Sequence, residues 1–263
     1  LGVKMISRVL ITVFLTGFLG GVLVTGVQKL GTIPIIVQAE NYELKGFDSD
    51  ADIRSKGTTY EQNLNGKTLF IHNNPDLPHQ HSNVDDLHDS DSWIPEQLVE
   101  RTFFTGISNI VTGIAFSFLL VGVYILRGKS VSIKSGLFWG SMGFIVFSLA
   151  PSLGLPPELP GMNKSELGSR QLWWIGTVIL TAVGVGILIE SKSLLFKIFA
   201  LILITLPHII GESRPNVVES IIPTELSSQF VIVSLLTSAF FWIVLGVFSG
   251  YFYKKQVQEL NLK

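Results

Sequence analysis

The stretch PSLGLPPELPGMNKSELGSRQLWW, residues 151–174, decides the fold of this chain. Four of the eleven prolines (Pro151, Pro156, Pro157 and Pro160) fall inside it, and a long apolar run lies on either side. Proline fixes φ and supplies no N–H, so a helix arriving at Pro151 cannot run on through the next three prolines. The stretch therefore predicts a rigid, irregular connector. Asn163, three residues before Glu166, reads as a capping box and predicts that helix resumes there. Trp173 and Trp174 follow, the residue type that settles at a membrane–water boundary. The reading is a shaped hairpin at a bilayer surface.

Composition agrees. The 263 residues are 47% hydrophobic and 15% charged, with mean hydropathy +0.47, whereas soluble domains are roughly a quarter charged. Six apolar runs are long enough to cross the hydrocarbon core: Val9–Val27, Phe103–Leu126, Ser135–Leu153, Leu172–Glu190, Leu194–Ile210 and Gln229–Phe252. The expected fold is an all-α polytopic membrane protein of six transmembrane helices, arranged as three helical hairpins. Its divisions are a first helix and exit over 1–39, an outer acidic loop over 40–100, and a five-helix bundle over 101–263 with the Pro-rich hairpin at 151–171. The chain begins with Leu rather than Met, so its natural start is expected elsewhere, Met5 being one candidate.

Charge sets the orientation. Lys4 and Arg8 precede the first span, Arg127, Lys129 and Lys134 separate spans two and three, Lys192 and Lys197 flank the junction of spans four and five, and Lys254 and Lys255 follow span six. Every second loop is basic, which places both termini in the cytoplasm, and the expected location is a bacterial-type inner membrane. Val37-Gln38-Ala39 resembles a signal cleavage site, but it lies far from the apolar run, and an uncleaved anchor is favoured. Gly17 and Gly21 stand at GxxxG spacing in the first span, a face that lets another helix approach closely.

Between Glu40 and Glu100 thirteen acids accompany four bases, a surface that excludes nucleic acid as a partner. Four of the five histidines lie in the same segment: His72, His79, His81 and His88. His79, His81 and His88 with Asp85 and Asp86 offer imidazole and carboxylate ligands of the kind divalent cobalt, nickel or zinc accepts. Their loose spacing is equally that of a solvated loop. His208, after Pro207, is the one histidine near a span and a further metal candidate, set against a packing role. Polar residues also enter the spans, with Asn109 and Thr112 in span two and Ser234, Ser238 and Trp242 in span six. With no cysteine, thiolate and iron–sulfur sites are excluded.

A weak internal repeat pairs SELGSRQ (165–171) with TELSSQF (224–230). In it Glu96 precedes Arg101, Glu166 precedes Arg170, and Glu225 precedes Gln229. Glu166 and Arg170, four apart on one helix, are expected to form an ion pair. Glu158, Glu166, Arg170, His208 and Glu225 are expected to build an outer vestibule, beside Pro151, Pro156, Pro157, Pro160, Trp173, Trp174 and Trp242.

The strings FSLAPSLGLPPELPG (147–161), SRQLWW (169–174), LPHIIG (206–211) and SLLTSAFFWIVLGVFSGYFY (234–253) resemble the predicted cobalt transporter subunit family CbtA. QAENYE (38–43) and GLFWGSMGF (136–144) extend the resemblance to nearly the whole chain. It implies a membrane subunit of a divalent-metal uptake system, cobalt first, serving cobalamin synthesis. The implied partners are the lipid bilayer and a small His-rich single-span protein of the CbtB type, with a homo-oligomer left open. Family members often carry a denser histidine run in the first outer loop than this chain does.

No phosphate loop of the form G-x-x-x-x-G-K-[ST] occurs, nor H-E-x-x-H, and no acid sits in the middle of a span. The reading is accordingly not an enzyme, with no tightly bound cofactor. Energy would come from the membrane potential, which gives a divalent cation about 4.6 kcal/mol per 100 mV, or from a partner. The alternative is a non-transporting scaffold or assembly subunit that binds another protein through its outer loops.

Overall fold

The computed structural model describes residues 2–43, 98–162, 165–211 and 220–258. The chain forms α1 (Gly2–Leu30), α2 (32–43), α3 (Leu98–Arg127), α4 (Ile133–Ser152), α5 (Leu167–Glu190), α6 (Leu194–Ile210) and α7 (Thr224–Tyr253). No strand occurs among the described residues. Five helices, α1, α3, α4, α5 and α7, are long and apolar enough to cross a membrane, while α6 is a shorter apolar helix.

Local chemistry sets the boundaries. Ser132 caps α4 by accepting from the Ser135 amide, while the Ser135 hydroxyl accepts from the Ser132 amide. Gly128 ends α3 and Gly211 ends α6, each at positive φ, where a Cβ would be strained. In α4 the turn Ile145–Leu149 widens to π-helix, and the Ala150 amide donates to the Ile145 carbonyl. Pro151 follows immediately, and the wider turn absorbs its missing N–H.

Consecutive long helices run in opposite directions, so the lysines and arginines at 4, 8, 127, 129, 134, 192, 254 and 255 gather at one end of the bundle, the basic end. The Pro-rich connector lies at the other. Large side chains such as Leu172, Leu195 and Ile232 are 74%, 79% and 60% exposed, an apolar surface suited to lipid.

Helix pairing follows small residues. Gly17 and Gly21 of α1 meet α3 at Gly113, Ile114 and Ile110, as the GxxxG spacing predicts. The expectation of three sequential hairpins does not hold beyond this first pair. α4 packs along α7, and α5 along α6, whereas α4 and α5 meet only near the connector. The reason is a second small-residue seam: Gly136 and Gly140 of α4 sit on Gly246 and Gly250 of α7. A Cβ on Gly246 would lie 2.5 Å from the Gly136 carbonyl oxygen.

Two features of the connector also depart from expectation. Helix resumes at Leu167, not at Asn163, because Glu166 is an extended cap residue (ψ 134°) that makes no side-chain cap hydrogen bond. Asn163 itself lies outside the described residues. The connector also turns inward. Leu159 is fully buried among Ile35, Ala39, Ile222, Leu226 and Phe230, which closes the connector end with an apolar plug.

Candidate functional site

Between α1, α2, α3, α4 and α7 lies a cavity of about 400 Å³. Eight neutral polar side chains reach it: Gln28, Thr32, Asn109, Thr112, Ser148, Ser234, Thr237 and Ser238. Asn109 organises one wall, donating from Nδ2 to Thr25 Oγ1 at 2.9 Å and to Gln28 Oε1 at 2.6 Å. The Thr25 hydroxyl in turn donates to the Gly21 carbonyl, 2.7 Å away. On the opposite wall Ser148 and Ser238 share a hydrogen bond of 2.6 Å. The π-helical turn is what carries Phe147 and Ser148 of α4 to this wall.

Apolar layers bound the cavity at both ends. Toward the connector it shares Ile36 and Phe230 with the Leu159 plug. Toward the basic end it rests on Phe116, Phe147, Phe241 and Trp242. Trp242 is 2% exposed, stacks on Phe147 at 5.5 Å and lies 4.7 Å from Phe116, centroid to centroid. The result is a half-open cavity whose mainly apolar wall carries eight neutral polar side chains, with packed rings below and the Leu159 plug above.

The chemistry such a chamber allows is specific. Hydroxyl and amide groups carry dipoles but no charge, so they can hydrogen-bond the water shell of a cation without replacing it. At about 30 Å³ per water the volume admits roughly a dozen waters, enough for a divalent ion with its first shell. A site without imidazole or carboxylate binds weakly, and weak binding is what passage requires. Among the described residues no three His, Asp or Glu side chains converge to hold a metal ion directly.

The residues expected at the outer vestibule are distributed differently. His79, His81, His88, Asp85 and Asp86 lie outside the described residues. Glu166 and Glu225 are exposed, and Pro151 is buried at the end of α4. The expected Glu166–Arg170 pair does not form, because Glu166 stands outside the helix. Instead Arg170 contacts Glu158 at 2.8 Å, with both side chains more than three-quarters buried. Glu158 stands in the connector between Pro157 and Pro160. Arg101 at the head of α3 likewise pairs with Glu40 of α2, its Nη1 donating at 2.9 Å.

Trp173 ties this corner together. Its ring covers Gly154, its Nε1–H donates to the Pro207 carbonyl at 3.3 Å, and its edge meets His208 at 5.9 Å between centroids. His208 Nε2 is buried and has no hydrogen-bond partner among the described residues. It lies between α5 and α6, not against the polar chamber. Trp174 stands at the surface, 36% exposed.

Removing Arg170 strands a mostly buried carboxylate. We expect Arg170→Ala to destabilise the fold by about 1–2 kcal/mol, between the exposed and the buried limits for ion pairs. Glu158→Ala combined with Arg170→Ala should recover part of that loss. Chemical denaturation of the purified variants reads both, and a double variant no better than Arg170→Ala would remove the pair's role.

The family model of the probable cobalt transporter subunit (CbtA) aligns with residues 6–254. The chain belongs to the CbtA family. No curated protein and no solved structure matches. The CbtA match takes in both glycine seams, the connector and every chamber residue.

Asn109, Thr112, Ser234, Ser238 and Trp242 stand out in the sequence as polar or aromatic residues within spans. Gln28, Thr32 and Ser148 do not. Gln28 sits beside Lys29 and reads as the end of a span, and Ser148 precedes Pro151 closely enough to read as hairpin punctuation.

Proposed function

We infer that this chain is the membrane-spanning component of a divalent-cation uptake system, with cobalt as cargo and cobalamin synthesis as its destination. Nickel and zinc are the competing cargoes. The observation that carries the reading is the set of eight neutral polar side chains lining a half-open cavity between two apolar layers. A scaffold has no need of a water-sized polar void inside its membrane helices, where unfilled polar groups are costly.

The finer points follow from the same reading. α6 is the fifth of six spans: its 17 residues reach about 25 Å at 1.5 Å per residue, near the hydrocarbon thickness. The basic end faces the cytoplasm of a bacterial-type inner membrane, which puts the Leu159 plug outside and Trp242 on the inner side. His79, His81 and His88, with Asp85 and Asp86, collect metal at the outer face. A small His-rich partner of the CbtB type supplies the imidazoles that the chamber lacks. Entry is driven by the membrane potential.

Radioactive cobalt accumulation in cells with and without the chain, its small partner present in both, tests this directly. Accumulation should rise with the chain and collapse when the membrane potential is dissipated. Equal accumulation would remove the transport reading and favour the scaffold.

A further inference from the structure

A second cavity, about 340 Å³, lies on the other side of Trp242 and Phe147, between α3, α4 and α5. Its wall is apolar: Leu119, Leu120 and Val123 from α3, Met142 and Val146 from α4, Ala182 and Val185 from α5. α3 and α5 do not pack on each other there. The rim residues Leu119 and Leu126 are 51% and 88% exposed, so the slot opens sideways to the bilayer. Gly186 lines it, and a Cβ added there meets nothing within 4 Å.

At the basic end the slot runs into a polar pocket of about 280 Å³ that includes Arg127, Lys129, Ser130 and Ser135. Arg127 and Trp139 belong to both. The guanidinium of Arg127 lies 4.8 Å over the Trp139 ring, and its Nη2 lies 3.0 Å from Glu190, whose side chain is 59% exposed. Glu190 offsets one of the two cations at the mouth, while Lys134 stands in the first turn of α4 and Lys192 in the loop between α5 and α6. The mouth is therefore net positive.

We propose that this slot and pocket bind one anionic phospholipid, with an acyl chain against Gly186 and the headgroup phosphate on Arg127 and Lys129. An apolar groove that opens to the membrane and ends in basic and hydroxyl groups has the shape of a lipid, and basic pockets between transmembrane helices bind acidic headgroups. The assignment does not depend on the transport reading. Because Trp242 and Phe147 separate the slot from the polar chamber, the lipid braces the inner closing layer from outside.

The test is native mass spectrometry of the full chain purified into detergent, with equal phosphatidylglycerol and phosphatidylcholine added. Phosphatidylglycerol should be retained about fivefold over phosphatidylcholine, the factor expected for one net basic residue. Gly186→Leu sets its Cβ in open space and extends into the slot, and should abolish retention at unchanged thermal stability. Arg127→Gln with Lys129→Gln should erase the preference for the acidic lipid but keep residual binding of both. Millimolar inorganic phosphate should leave the bound lipid in place. Equal retention of the two lipids, undiminished retention in Gly186→Leu, or displacement by phosphate would each overturn the proposal.

Discussion

Replacing Gly246 with leucine is expected to abolish folded protein. A Cβ at that position would lie 2.5 Å from the Gly136 carbonyl oxygen and 3.0 Å from the Gly140 Cα. Both are backbone atoms of the facing helix, so no rotamer change relieves the overlap, and α4 must separate from α7. Overpacking normally costs about 1–3 kcal/mol, and a backbone-on-backbone clash belongs at or beyond the upper end. The separation would also spread Phe147 from Trp242, since both sit on this pair. Gly176→Leu and Gly122→Leu are the controls, because an added Cβ meets nothing within 4 Å at either site. Size-exclusion profiles of detergent-solubilised variants read the result. A monodisperse Gly246→Leu protein would show that the seam is not what holds α4 to α7.

The contrast between the two glycine seams explains what the sequence made legible. Gly17 and Gly21 sit at a recognisable spacing in one helix, and their partner is the next long helix in the chain. Gly136 and Gly140 carry the same signal, yet their partner is the last helix, more than ninety positions away. Nothing in the spacing within one helix names the helix across from it. Sequential hairpins are the natural expectation, and packing overrides it.

Ion pairs failed for a related reason. Glu166 and Arg170 have helical spacing, but the helix starts one residue too late to use it. The actual partner, Glu158, is delivered by proline geometry, which fixes φ without announcing where the chain goes next. Apolar spans, by contrast, were readable in their places, though Val9–Val27 and Gln229–Phe252 fall several residues short of the helices Val3–Leu30 and Thr224–Val257 that contain them. The run Ser135–Leu153 corresponds to Ile133–Ser152, and Leu194–Ile210 is the same in both readings.

The chamber was the least legible part. A serine or threonine in a membrane helix commonly bonds the carbonyl four residues back, as Thr12 and Thr177 do here. Each polar residue therefore looks satisfied in its own helix. Only the convergence of five helices shows that Gln28, Asn109, Ser148 and Ser234 face one space. Their lack of charge removes the signal by which an intramembrane site is usually found.

That convergence is the central claim, and Ser234 tests it most directly. Ser234 lines the chamber, and the chain has no cysteine of its own, so Ser234→Cys provides a single thiol inside the proposed path. In the proposed orientation the path opens at the Leu159 plug for uptake to occur, which would admit a membrane-impermeant cationic thiol reagent from outside. Radioactive cobalt uptake by Ser234→Cys cells should be near normal before treatment and fall at least tenfold after it. A fixed charge and added bulk in the chamber would raise the barrier by more than the roughly 1.4 kcal/mol that a tenfold change requires. Ile232→Cys, 60% exposed on the neighbouring face of α7, should show no loss. Uptake unchanged in fully labelled Ser234→Cys cells, or a thiol that never labels during active uptake, would place the cation path outside the chamber.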